Sequence, residues 1–130
     1  MNNKKIVVIG AGKIGRSFIG QVFNRSGYEV LFVDINRSLI DQMNRVKAYR
    51  VIIKDGDKEE TVRISNIKGL CLEDEERIME ELKHVSIVSL SVGQQGLRTA
   101  IPIIAKSLLA RKKDYGNMPL DIIIAENKIG

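Results

Sequence analysis

KKIVVIGAGKIGRSFIGQVF, residues 4–23, is the stretch that decides the fold. The apolar run Ile6–Ile9 leads directly into three glycines, Gly10, Gly12 and Gly15. This spacing between a strand and a helix is typical of dinucleotide-binding units. The first glycine permits the tight turn, the second lets the backbone approach a pyrophosphate, and the third lets the helix pack on the strand. Free N–H groups at the start of the helix then face the phosphates, so the stretch predicts a Rossmann-type domain.

An acidic residue follows the second predicted strand. Asp34 comes directly after Glu29–Val33 and lies 19 positions beyond Gly15. A carboxylate there accepts hydrogen bonds from both ribose hydroxyls of an adenosine and repels a 2′-phosphate, which predicts NAD rather than NADP as the cofactor. Arg37 stands close by and can receive such a phosphate, so the use of both cofactors stays open.

Strand and helix patterns alternate along the chain, which is typical of a mostly parallel sheet flanked by helices. The predicted strands are Lys5–Ile9, Glu29–Val33, Ile67–Leu72, Val85–Val92 and Leu120–Ala125, the last of them buried. The predicted helices are Lys13–Gly27, Leu39–Val46, Glu73–Lys83 and Leu97–Lys113. YRVIIK and ETVRI flank an Asp-Gly turn and predict an antiparallel hairpin. The predicted fold class is therefore α/β, a Rossmann-type mostly parallel sheet with a β-hairpin insertion around residues 49–64.

Apolar spacing also predicts which helix faces are buried. On the first helix these residues are Ile14, Phe18, Ile19, Val22 and Phe23. On the longest helix they are Ile101, Ile104, Ala105, Leu108 and Leu109, with Pro102 in the first turns, where proline is tolerated. Arg111, Lys112 and Lys113 close that helix, where cations complement the helix dipole.

Composition argues against several classes of function. The 130 residues carry a formal charge of +5, but the basic residues are scattered and not interleaved with aromatic ones, so no nucleic-acid partner is predicted. No apolar run approaches the roughly 20 residues that span a bilayer, so no membrane partner is predicted. The single cysteine, Cys71, cannot form an intrachain disulfide and fits a reducing, cytoplasmic location.

Further residues follow the later strands at the same predicted sheet edge, where open α/β sheets bind their ligands. Ser91-Val92-Gly93 ends the fourth main strand, and Glu126-Asn127 ends the fifth. The predicted cofactor-binding residues are Gly10, Ala11, Gly12, Lys13, Ile14, Gly15, Asp34, Ile35, Asn36, Ser91, Val92, Gly93 and Glu126.

The sequence does not contain a recognisable catalytic base. His84 is the only histidine and lies before its strand, at the end of the sheet opposite the predicted site. No group of His, Cys and Asp residues has the spacing of zinc ligands, so no metal site is predicted. The residues thus indicate a cofactor half-site without complete catalytic machinery.

The stretch GAGKIGRSFIG, Gly10–Gly20, resembles the opening of the mannitol dehydrogenase family, the polyol-specific long-chain dehydrogenases. It is similar to the sugar-phosphate branch, and GRSFIG is far more specific than the glycines alone. The resemblance extends through Asp34-Ile35-Asn36 and Ser91-Val92-Gly93 to Ala125-Glu126-Asn127, which is essentially the whole chain. It implies an NAD-linked, metal-free oxidation of a polyol phosphate to a ketose phosphate.

In that family an N-terminal domain holds NAD, and a larger helical C-terminal domain supplies the catalytic lysine. The resemblance therefore implies that residues 1–130 are the NAD(P)-binding domain of a longer enzyme and are inactive alone. It also implies that Asn127 helps to stabilise the developing oxyanion. Lys128 stands where the family usually has methionine, and Gln94-Gln95 also departs from its pattern, which leaves the polyol open. The end of the chain soon after its last predicted strand fits a fragment.

Two other functions stay open at this point. A stand-alone NAD-sensing regulatory module has about this length and needs no catalytic base. A dinucleotide fold that has lost its ligand and serves as a scaffold is the third reading.

Overall fold

The protein's structure, a computed structural model, describes residues 2–12 and 15–125, without the side chains at 2, 3, 94 and 95. The strands of these ranges are β1 (Asn2–Ile9), β2 (Glu29–Asp34), β3 (Ala48–Asp55), β4 (Lys58–Ser65), β5 (Ile67–Cys71), β6 (Val85–Leu90) and β7 (Asp121–Ile124). The helices are a π-helical segment (Gly15–Gly20), α1 (Gln21–Arg25), α2 (Arg37–Val46), α3 (Glu75–His84) and α4 (Gln94–Tyr115).

Five of the strands that the structure describes form one parallel sheet in the order β5-β2-β1-β6-β7. The chain builds outward from β1 through β2 to β5 and then crosses to the other side of β1 for β6 and β7. The strand order therefore reverses between β1 and β6, which is where open α/β sheets bind their ligands. This architecture confirms the predicted Rossmann-type class.

The central strand is buried on both faces. Ile6, Val7, Val8 and Ile9 are each at most 2% exposed. Val7 and Ile9 join one core with α3 and α4, whereas Ile6 and Val8 join a second core with the π-helical segment, α2 and the hairpin. A continuous apolar run is what a parallel strand covered on both sides needs.

The predicted hairpin is also confirmed. β3 and β4 pair antiparallel from Ala48–Ser65 to Asp55–Lys58, around a turn at Gly56-Asp57. Val51 and Ile64 pack into the core beneath α1 and α2. Among the described strands β3 and β4 pair only with each other, so the hairpin forms a separate two-stranded sheet over one face of the parallel sheet.

The prediction for the buried face of the first helix is partly wrong. Ile19 is buried and Phe23 packs on the core, but Phe18 and Val22 are exposed. The segment before α1 is π-helical, and its wider turn rotates side chains away from the positions that a 3.6-residue period gives. The predicted Ile14 lies outside the described residues.

The predicted face of α4 is likewise largely wrong. Its buried side chains are Ala100, Ile103, Ile104, Ser107 and Arg111, whereas Ile101, Ala105, Leu108 and Leu109 are exposed. The helix begins at Gln94, so Pro102 lies in its interior and not in its first turns.

Arg111 was predicted to complement the helix dipole but is only 2% exposed. Its guanidinium donates to the carbonyls of Leu82 (2.9 Å), Val85 (2.5 Å), Met118 (3.1 Å) and Pro119 (2.7 Å). Burial lowers the pKa of this group. Arg111 therefore fixes the junction of α3 and β6 to the loop that enters β7.

The strand β7 was predicted to be buried but lies at the edge of the sheet. Ile122 and Ile124 are both exposed, and β7 pairs only with β6 among the described strands. A continuous apolar run is typical of a buried strand, whereas β7 has a partner strand on one side only among the described residues.

Candidate dinucleotide-binding site

A cleft opens at the carboxyl edge of the sheet, where β1, β2 and β6 end. Its volume of about 440 Å³ falls in the range of small-molecule sites. It is lined by Ile9, Gly10, Gly12, Val33, Asp34, Ile35, Leu72, Ser91, Val92, Gly93 and Gly96. The cleft therefore lies at the topological switch point that the strand order defines.

Gly10 makes the sharp turn out of β1. Its φ of +104° is a conformation that side chains disfavour, and a Cβ would lie 2.3 Å from the carbonyl oxygen of Ser91. Its N–H donates to the carbonyl of Val33 at 2.6 Å. Gly10 thus holds the ends of β1, β2 and β6 together at the floor of the cleft.

Gly15 and Gly12 serve different purposes. A Cβ on Gly15 would lie 2.0 Å from the carbonyl oxygen of Gly10, so only glycine lets the helix approach β1 this closely. A Cβ on Gly12 would meet no atom of residues 2–12 and 15–125 within 4 Å, so the absence of a side chain there leaves open space in the described part of the cleft. An open backbone at this place fits a pyrophosphate.

Asp34 ends β2 and is fixed at the rim of the cleft by two backbone hydrogen bonds. The N–H of Ala11 donates to its Oδ2 and the N–H of Asn36 to its Oδ1, each at 2.8 Å. A carboxylate offers about four acceptor positions, so lone pairs remain on both oxygens. The Asp34 side chain is therefore an oriented acceptor with capacity for further hydroxyl donors.

The outer part of the cleft is apolar. Ile35 is 75% exposed beside Leu72, and a shallower depression continues past them to Cys71 and Thr99. The exposed Ile35 and the largely buried Leu72 give the mouth of the cleft an apolar wall, which suits a flat, weakly polar group such as a nucleobase. Sequence reasoning missed Leu72, although it directly follows β5, the neighbour of β2 in the sheet.

Arg37 and Glu73 form an ion pair beside this apolar wall. Arg37 Nε donates to Glu73 Oε1 at 2.8 Å, and Arg37 Nη2 contacts the same oxygen. The hydrogen bonds and the charge of Arg37 lower the pKa of Glu73, and Glu73 in turn raises the pKa of Arg37. Arg37, the cation that could receive the 2′-phosphate of NADP, is thus already paired with Glu73.

The structure brings together most of the predicted residues that it describes. Gly10, Gly12, Asp34, Ile35, Ser91, Val92 and Gly93 line the cleft. Three others lie behind it and shape it: Ala11 is buried, Gly15 packs the helix, and the side chain of Asn36 caps α2 by accepting from the N–H of Leu39. Lys13, Ile14, Glu126 and Asn127 lie outside the described residues.

Other chemistry-bearing groups lie away from the cleft. His84 ends α3, where it faces Glu80 at 3.1 Å and packs edge-on against Tyr115. Over residues 2–12 and 15–125, no three His, Cys, Asp or Glu side chains are grouped so as to hold a metal ion. Among the helices described, none is long and apolar enough to cross a membrane.

Fold and cleft together define a Rossmann-type dinucleotide-binding domain. The profile described as "Mannitol dehydrogenase Rossmann domain" matches residues 4–130, and the chain belongs to that family. This confirms the family resemblance seen in the sequence and, with it, the class of cofactor predicted, a nicotinamide dinucleotide. The alternative of a stand-alone sensing module is not favoured.

Curated relatives carry the name mannitol-1-phosphate 5-dehydrogenase. The one from Caldanaerobacter subterraneus subsp. tengcongensis is 40% identical over 127 residues, which are 96% of this chain and 32% of the relative. The one from Lactococcus lactis subsp. lactis is 35% identical over 128 residues, which are 98% of this chain and 33% of the relative. The chain therefore spans about a third of the length of these relatives.

Solved structures agree on the fold. Yeast methylglyoxal/isovaleraldehyde reductase Gre2 complexed with NADPH matches with a TM-score of 0.55 and 12% identity over 92% of this chain and 37% of its own. A short-chain dehydrogenase/reductase family oxidoreductase from Burkholderia thailandensis matches with a TM-score of 0.56 and 16% identity, over 95% of this chain and 51% of its own. At such low identity these matches show the shared fold alone.

Proposed function

We propose that this domain binds NAD in the cleft at the carboxyl edge of the sheet and serves a longer polyol-phosphate dehydrogenase. The observation that carries the proposal is the Asp34 carboxylate, held by the N–H groups of Ala11 and Asn36 at the rim of a glycine-floored cleft. Two ribose hydroxyls can donate to its remaining lone pairs, and its charge opposes a 2′-phosphate.

Each part of the cleft has a chemical role in this proposal. The open backbone at Gly12 admits the pyrophosphate, and Ile35 with Leu72 covers the adenine. Ser91, Val92 and Gly93 line the path toward the second nucleoside. Bound NAD supplies the hydride acceptor, and this chain's residues hold and orient it. Asn127 is proposed to donate a hydrogen bond to the oxyanion that develops on the substrate.

The proposed substrate is a polyol phosphate, which the relatives' name and their similarity to this chain support. The relatives are about three times as long as this chain, so we infer that residues 1–130 act as the NAD(P)-binding domain of a two-domain protein. The catalytic base and the phosphate-binding groups then lie in the additional chain.

An exposed apolar surface supports this domain organisation. The surface, here called the apolar flank, consists of Ile101, Leu108 and Leu109 on α4 and Ile122 and Ile124 on β7. Lys106 and Asp114 of α4 pair with Glu75 and Lys83 of α3, each at 2.9 Å. At 100° per residue, positions 101, 108 and 109 face away from these pairs.

The two parts of the apolar flank lie on one side of the sheet. Ile122 and Ile124 are register partners of Val88 and Leu90, which pack against α3 and α4. An apolar face beside an open strand edge is a surface that proteins normally cover. We propose that the additional chain of the longer protein covers it.

Titration with the two reduced cofactors tests the proposed function. NADH fluorescence and calorimetry should show saturable binding to this chain, tighter for NADH than for NADPH because Asp34 opposes the 2′-phosphate. Binding of neither cofactor at millimolar concentration contradicts the proposal, and tighter binding of NADPH contradicts its cofactor preference. Activity on mannitol 1-phosphate with NAD is the corresponding test for a longer chain.

A further inference from the structure

Glu73 and Arg37 meet across the mouth of the cleft because their strands are neighbours. Asp34 of β2 and Cys71 of β5 are register partners at the carboxyl edge of the sheet. The chain reaches Arg37 three residues after Asp34, and it reaches Glu73 two residues after Cys71. The ion pair between them therefore stands next to the carboxylate that faces the proposed ribose.

The pairing occupies the edge of the guanidinium that recognises phosphate. Both Nε and Nη2 of Arg37 are directed at Glu73 Oε1. That pair of donors is also the edge with which arginine binds phosphate oxygens in a bidentate way. While Glu73 holds it, Arg37 cannot present this edge to a 2′-phosphate.

The charges at this rim also disfavour a phosphate. Asp34 and Glu73 contribute two negative charges and Arg37 one positive charge. Arg37 lowers the pKa of Glu73, so the pair stays ionised at neutral pH. A dianionic phosphate entering here meets an excess of like charge.

We propose that Glu73 is a specificity-determining residue that makes the cleft select against 2′-phosphorylated dinucleotides by holding Arg37. The inference rests on the proposed function, since it concerns the same cleft. The sequence motif attributes the preference for NADH over NADPH to Asp34 alone. The inference attributes part of that preference to Glu73, which lies between β5 and α3.

Four proteins test the inference by fluorescence titration with NADH and NADPH: the unchanged chain, Glu73→Gln, Arg37→Gln/Glu73→Gln, and Glu75→Gln. In Glu73→Gln the dissociation constant for NADPH should fall about tenfold, because charge-assisted bonds to a freed guanidinium are strong. NADH affinity should stay within about twofold, because NADH has no 2′-phosphate for the freed guanidinium to bind.

The other two variants are the controls. The double variant should not show the gain in NADPH affinity, because no guanidinium is left to receive the 2′-phosphate. Glu75→Gln breaks a comparable surface pair, with Lys106 at 2.9 Å, and should leave the NADPH to NADH ratio unchanged. All variants should have similar melting temperatures.

Three results overturn the inference. The first is an NADPH to NADH ratio of dissociation constants in Glu73→Gln that stays within about twofold of the unchanged chain. The others are a gain in NADPH affinity that persists in the double variant and an equal gain in NADPH affinity in Glu75→Gln. The proposed function fails in a different way, by absence of NADH binding to the unchanged chain. The two failures are therefore distinguishable.

Discussion

The cleft and the apolar flank are both exposed, but they differ in how their residues are held. At the cleft, backbone hydrogen bonds hold the floor and the rim: Gly10 donates to Val33, and two N–H groups hold Asp34. At the apolar flank, large aliphatic side chains such as Leu109 and Ile124 are 72% and 66% exposed. A rigid polar rim suits a small ligand that must be oriented, whereas an uncovered apolar face suits a polypeptide that buries area.

This difference separates substitutions that break the fold from those that affect ligand binding or assembly. A glycine at which the helix packs closely on β1 should matter for folding, a residue of the open cleft or its rim for cofactor binding, and a residue of the apolar flank for neither in this chain. The three predictions below follow that order of expected effect.

The largest effect is expected from Gly15→Ala. A methyl group 2.0 Å from the carbonyl oxygen of Gly10 forces the first helix away from β1, which should lower the free energy of unfolding by about 3 kcal/mol or more. Chemical denaturation followed by circular dichroism measures it.

Gly12→Ala is the matched control in the same motif, since its Cβ meets no atom of the described residues within 4 Å. It should change the free energy of unfolding by less than about 1 kcal/mol. It should still weaken NADH binding about tenfold, because the added methyl group fills the open space in the cleft. Equal destabilisation by Gly15→Ala and Gly12→Ala would contradict the difference in the space around these two glycines.

An intermediate effect is expected from Asp34→Asn. The neutral amide loses the charge-assisted bonds to the ribose hydroxyls, so NADH affinity should fall about tenfold while the preference over NADPH narrows. Titration of both cofactors measures the change. Asp41→Asn, at an exposed position on α2, is the control and should alter neither affinity. An unchanged preference in Asp34→Asn contradicts the role of this carboxylate.

The smallest effect on stability is expected at the apolar flank. Leu109→Ser with Ile124→Thr should change the free energy of unfolding by less than about 1 kcal/mol and leave NADH binding intact, because both side chains already face solvent. Because the exposed apolar flank offers area that two copies of this chain can bury between them, sedimentation at increasing concentration should show weaker self-association than for the unchanged chain. Ile52→Thr, an exposed position on the hairpin, should not reduce it. Strong destabilisation by the double substitution would mean that this surface is packed within the domain.

Local signals in the sequence were sufficient to predict the turn and the carboxylate at the cleft, and the hairpin away from it. The glycine spacing, the carboxylate at the end of β2 and the Asp-Gly turn each act within a few residues of chain, and the structure has the turn, the strand end and the hairpin where they were expected. The role of Leu72 and the pairing of Glu73 with Arg37 could not be predicted in this way. They depend on which strand lies next to β2, and this follows only from the strand order.

The faces of the helices were harder to predict for a physical reason. α4 carries aliphatic residues around most of its circumference, so apolar spacing alone does not select Ile103 and Ile104 over Leu108 and Leu109. The selection is made by tertiary partners, among them the four carbonyls that accept hydrogen bonds from Arg111. From the sequence alone, an arginine at a helix end is expected to be exposed to solvent. Its burial depends on carbonyl groups that the fold brings beside it.

A crystal structure of this chain grown with NADH tests the central claim most directly. The account predicts electron density for the dinucleotide across Gly12, with the adenosine ribose hydroxyls within hydrogen-bond distance of the Asp34 carboxylate. A dinucleotide bound elsewhere on the chain, or a ribose turned away from Asp34, would contradict it.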